Sequence, residues 1–104
     1  KISGAEIYMK TIKLLPIVGS FAENKDLARE IRVKKIIPAL EKREEVIVDF
    51  EGVESTTQSF IHALISDLIR RYGVEVLEKV SFKNCNEIVK KIISIVVDYM
   101  QDGE

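Results

Sequence analysis

Val46-Ile47-Val48-Asp49-Phe50 is the stretch that most restricts how the chain can fold: four strand-favouring residues broken by a single acid. A run without polar alternation fits a central strand covered on both faces. The strand is expected to stop at Asp49, and Gly52 then permits a tight turn. Ser55, Thr56 and Thr57 follow with hydroxyls suited to capping the free amides of the next helix. Strand, polar loop and helix entry, residues 46–60, form the unit around which the rest of the chain is arranged.

Upstream, residues 1–10 show no clean periodicity and are read as an ill-defined extension, or as an edge strand through Ile7, Tyr8 and Met9. Ile12, Leu14, Leu15, Ile17 and Val18 make residues 11–18 strand-like. Pro16 lacks the amide that a central ladder needs, which assigns the segment to an edge or a bulge. Ser20 and Glu23 have capping-box spacing and predict a helix start within residues 21–24. From Leu27 onward, Ala28, Ile31, Val33, Ile36, Ile37 and Leu40 recur at helical intervals. Pro38 cannot donate to the carbonyl four residues back, so a kink or a restart is expected there. Arg29, Arg32, Lys34 and Lys35 are read as a solvated helix face, because no aromatic residue is interleaved with them.

Past the loop, Ile61, Leu64, Ile65, Leu68, Ile69 and Tyr72 define a broad apolar helix face. It closes with Arg70, Arg71 and Gly73, and basic residues followed by glycine are a C-terminal signal. Val74, Val76, Glu78, Val80 and Phe82 alternate, predicting a strand centred on residues 79–82. Asn84, with Glu87 at the reciprocal position, is expected to cap a last helix over residues 86–100. Val89, Ile92, Ile93, Val96 and Met100 form its core stripe, and Ile88, Ile95 and Tyr99 a second stripe beside it. One sheet rarely covers so wide a face, so the N-terminal segment or a second subunit, hence a homodimer through the last helix, is expected there. Strands alternating with helices argue for an α/β sandwich with mostly parallel strands.

At 104 residues the chain supports one core, and residues 1–104 are read as a single domain. Sixteen basic and 17 acidic residues leave a net charge of -1, too little field to gather nucleic acid or an anionic membrane, and neither is expected as a partner. No apolar run reaches the roughly 18–20 residues of a membrane helix, and the first residues lack the apolar core of a secretion signal. Cys85, the one cysteine, excludes an internal disulfide and suits a reducing compartment, so a cytoplasmic location is expected. A single histidine and no glycine-rich phosphate loop give no reason to expect a metal or other cofactor.

The apolar strand closing in Asp49-Phe50-Glu51-Gly52-Val53, the hydroxyl-rich loop, Ser59-Phe60 opening an apolar helix, and the short strand ending in Asn84 together resemble the STAS-like family of bacterial domains of unknown function. These are relatives of the anti-sigma-factor antagonists. The resemblance runs over roughly residues 12–99 and implies a STAS-like sandwich: a mixed but mostly parallel sheet of about four strands with three main helices. It also implies a non-enzymatic regulatory role and a protein partner, an ATPase-fold kinase or an anti-sigma factor. In phosphorylatable antagonists an Asp-Ser-Ser-Gly signature opens the helix and its first serine is phosphorylated. Here that signature falls on Thr57, Gln58, Ser59 and Phe60, so the phosphoacceptor position is Gln58, which has no hydroxyl.

The candidate contact residues are therefore Asp49, Ser55, Thr56, Thr57, Gln58, Ser59 and His62. The hydroxyls crowd a helix N-terminus, where amides and dipole favour an anion, although capping alone accounts for one or two of them. Asp49 stands at the carboxyl end of a central strand, where open α/β sheets often bind ligands; its structural alternative is to accept hydrogen bonds from the loop. Two other readings stay open. One moves the phosphorylation switch to Ser59 or Thr57. The other is a small hydrolase or ligand-binding domain using Asp49, Ser59 and His62, for which no orienting third residue or oxyanion donors can be identified. Cys85, at the start of the last helix, is read as a thiol with a lowered pKa or, more simply, as a small buried residue.

Overall fold

In the computed structural model, which describes residues 8–102, the apolar run lies at the centre of a sheet as β3 (Glu45–Asp49). β1 (Met9–Lys13) and β5 (Val80–Lys83) flank it, both parallel to it, with Ile12 opposite Val48 and Val46 opposite Val80. A second parallel pairing, two residues long, joins β2 (Phe21–Ala22) to β4 (Ser55–Thr56). The α/β class holds, with the strands divided three and two and every described pairing parallel.

One face of the three-stranded sheet is sealed and the other is largely open. Ile12, Val46, Val48 and Val80 are buried on the side their register shares. On the opposite side Thr11, Lys13, Ser81 and Lys83 are exposed, and Ile47 between Thr11 and Ser81 is half-buried. This corrects the expectation that β3 is covered on both faces. The polar residues that open that side belong to neighbouring strands, and cross-strand neighbours govern a residue's exposure as much as its own strand does.

α4 (Gln58–Tyr72) connects β3 to β5 and buries Ile61, Leu64, Ile65, Leu68 and Ile69, while Tyr72 at its end is partly exposed. It packs against α2 (Lys25–Ile31) and α5 (Glu87–Asp102). α2 runs into a π-helical turn, Arg32–Ile36, and restarts as α3 (Ile37–Glu41) with Pro38 in its first turn. Pro38 has no amide for the carbonyl of Lys34, and the widened turn, in which the Ile37 amide donates to Arg32 O, absorbs the mismatch. The extra residue shifts the helical phase, so Val33 is exposed and Arg32 is buried.

That burial corrects the reading of the basic cluster. Arg32 Nη1 donates to Ala63 O at 2.6 Å, and Nη2 lies 3.2 Å from Asp67 Oδ2. It joins α2 to α4, whereas Arg29, Lys34 and Lys35 are exposed as expected.

Four other local expectations are corrected. Residues 11–18 divide into the end of β1 and a short helix, α1 (Leu15–Val18), whose first turn tolerates Pro16. The edge strand begins at Met9, and Ile7 lies outside the described residues. Ser20 and Glu23 form no capping box, because Phe21–Ala22 pair with β4; the helix begins after Asn24, whose Oδ1 accepts from the amides of Asp26 (2.9 Å) and Leu27 (3.2 Å). Val74–Glu78 form a 3-10 turn in which only Val76 is buried, so the alternating residues become a strand from Val80 onward.

Candidate functional site

The loop after β3 is held by its own backbone. The Val53 amide donates to Phe50 O at 2.8 Å, and Gly52 turns the chain at φ 85°. A Cβ on Gly52 would also lie 2.6 Å from Leu15 Cδ2, the tip of an exposed side chain that can move aside, so it is the conformation that calls for glycine. The amides of Glu54 and Ser55 donate to Ser20 O (2.7 and 3.2 Å), and that of Thr57 donates to Ala22 O (3.2 Å). Thr56 is buried and its hydroxyl donates to Ala22 O at 2.8 Å. From the other side, Asn86 Nδ2 donates to Glu54 O at 2.9 Å. The side chains of Glu51, Glu54, Gln58 and Ser59 are left exposed.

Asp49 fastens the end of β3 to the end of β5. Its Oδ1 accepts from Asn84 Nδ2 and from the Glu51 amide, each at 2.9 Å. The Asn84 bond, then the Glu51 bond, hold its pKa below the ordinary carboxylate value against the opposing pull of burial, with Lys13 adding a smaller lowering. Asn84 reaches Asp49 from a left-handed conformation, φ 60°, which asparagine tolerates. It therefore does not cap the last helix with Glu87 as expected. Asn86 takes that place, its Oδ1 accepting from the Val89 amide at 2.9 Å.

Thr57 caps α4, its Oγ1 accepting from the Phe60 amide at 3.0 Å. Thr57→Ala is expected to cost about 1 kcal/mol of stability, measured by urea unfolding, with Thr57→Ser close to the parent chain. An unchanged midpoint for Thr57→Ala would contradict this role. Of the two hydroxyls considered for a phosphate, Thr57 is thus engaged and half-buried, whereas Ser59 is exposed.

Gln58, Ser59 and His62 come together along one side of an open groove of about 400 Å³. Ile95, Val96 and Tyr99 of α5 form the other side, and Lys25 stands at the start of α2. A wall of isoleucine and tyrosine beside polar side chains and one cation suits an amphipathic guest. Asp49 is not among the lining residues and has its own partners, so the trio Asp49, Ser59 and His62 is not assembled there. No hydrogen bond joins Ser59 to His62, and no carboxylate orients His62, among the described residues. Ser55 is half-buried within the β2–β4 pairing.

Cys85 precedes α5 and is half-buried; burial pushes its thiol up, opposite to the lowered value considered for a helix start. Among the described residues no helix is long and apolar enough to cross a membrane. Lys25 escaped sequence reasoning and Asn84 was expected only as a helix cap, because neither carried a local signal for the role it takes. Ile95 and Tyr99 were visible only as surplus apolar surface.

The chain matches the family model described as a STAS-like domain of unknown function over residues 28–90. That span takes in β3, the pinned loop, α4 and β5, together with Gln58, Ser59 and His62 of the groove. No match was found among curated proteins or among solved structures.

Proposed function

The chain belongs to the family of STAS-like domains of unknown function, and on that footing we propose that it is a non-enzymatic regulatory module binding another protein through residues 51–60 and the first turn of α4. One observation carries this reading: the loop's backbone is hydrogen-bonded to its own fold on both sides, while Glu51, Glu54, Gln58 and Ser59 stand exposed. A surface already ordered loses little conformational entropy when a partner docks. The adjoining groove offers apolar contact at Ile95 and Tyr99 and a cation at Lys25 for a partner's acid. The resemblance to anti-sigma-factor antagonists makes an ATPase-fold kinase or an anti-sigma factor the partner to seek.

Ser59→Glu tests the surface. A carboxylate in the first turn of a helix suits the dipole, so α4 tolerates the change and weaker binding would not reflect unfolding. Affinity for a co-purified partner, measured by titration calorimetry with the oligomeric state recorded in the same samples, is expected to fall at least about tenfold. Unchanged affinity would argue against the loop as the contact. Because glutamate imitates a phosphoserine at the exposed hydroxyl, the same variant reports what a switch at Ser59 would do.

A further inference from the structure

The outward side of α5 has the spacing of a helix-pairing seam. Ile88, Ile92, Ile95 and Tyr99 follow one another at intervals of four, three and four residues, which keeps them on one line along the helix. Ile88 is 56% exposed, Ile95 39% and Tyr99 68%, Ile92 is half-buried where the seam borders the core, and Val89, Ile93 and Val96 on the adjacent side lie in the core. The helix is thus already held by one apolar stripe and presents a second to solvent. Large apolar side chains aligned in this way mark a contact surface. Lys91 and Asp98, both exposed, border the seam on the side away from the core.

We propose that this seam pairs with the same seam of a second copy of the chain, the two α5 helices running antiparallel about a two-fold axis. Antiparallel pairing sets Ile88 against Tyr99 of the second copy and Ile92 against its Ile95. In the same register Lys91 comes beside Asp98 of the second copy, and symmetry repeats the contact. A parallel pair would instead bring Lys91 opposite Val96, a core residue, and leave both charges unmatched. The flanking charges therefore select both the occupant and its direction. Since Ile95 and Tyr99 also wall the groove beside Ser59, a second copy and a regulatory partner compete for them.

Sedimentation of the purified chain alone, over a range of concentrations at low salt, tests this without any regulatory partner, so its outcome is separate from that of the Ser59→Glu experiment. A concentration-dependent dimer is expected. Lys91→Asp or Asp98→Lys places like charges together twice and is expected to weaken self-association about tenfold. An equimolar mixture of the two variants restores opposite charges at both contacts and is expected to recover the dimer. Both positions are exposed, and circular dichroism checks that each variant remains folded. A chain that stays monomeric up to about 1 mM, whether residues 1–7 or another protein covers the seam, overturns the proposal. So does a dimer that ignores both substitutions, or a mixture that fails to recover.

Discussion

Phe50→Ala is expected to lower the unfolding free energy by about 3–5 kcal/mol, the range for emptying a fully buried phenylalanine site. Phe50 has no exposed surface and lies directly after the central strand, its ring 6.3 Å from that of Phe82 and tilted by 58°. Its amide donates to Lys83 O at 2.9 Å and its carbonyl accepts from Val53, so the residue also locates the loop. Domains of this size are stable by roughly 5–15 kcal/mol, which makes the loss a large share of the total. Phe50→Leu, which retains much of the volume, is expected to cost less than half as much. Chemical denaturation of both variants checks the pair; a Phe50→Ala loss below about 1 kcal/mol would mean that the site collapses or is not enclosed.

The second large effect is at Asp49. Asp49→Ala leaves the Asn84 side-chain amide and the Glu51 amide without their shared acceptor, and is expected to cost about 2–3 kcal/mol, since both bonds are made to a charged group. The sign of the pH dependence follows from the lowered pKa. A carboxylate whose folded-state pKa lies below its unfolded value stabilises the fold fully above the unfolded value, near 3.8, and loses that contribution as pH falls through the folded value. Asp49→Asn removes the charge but preserves the shape. Its stability deficit relative to the parent chain is therefore expected to be largest near neutrality and to shrink as the solution is acidified below the ordinary carboxylate range. A deficit that stays constant down that acid limb would show that the charge of Asp49 is not what the two donors recognise.

These two residues were legible in different degrees. Phe50 could be placed in the core from its position beside Val46 and Val48. Asp49 could be placed at the end of the strand, and the loop amide was foreseen as a donor, but Asn84 was assigned to a helix cap. Two asparagines near a helix start, Asn84 and Asn86, have the same local chemistry. Only the left-handed turn at Asn84, set by how β5 ends beside β3, decides that one meets Asp49 and the other caps α5. Arg32 shows the same limit: a cation in a basic helical run looks solvated until the π-turn ahead of Pro38 rotates it toward Ala63 and Asp67.

By itself the sequence determined the central strand, the apolar crossover helix closed by Gly73, the restart at Pro38 and the two stripes of the last helix. Each of these is written in the period or the backbone chemistry of a single continuous segment. Tertiary structure alone decided the open face of the sheet, the two-residue pairing of β2 with β4, and the gathering of Lys25, Ser59, His62 and Tyr99 around one groove. Those features join segments about 30 or more residues apart in the chain, where local preference is silent and the outcome depends on which surfaces remain to be buried once the main elements have packed.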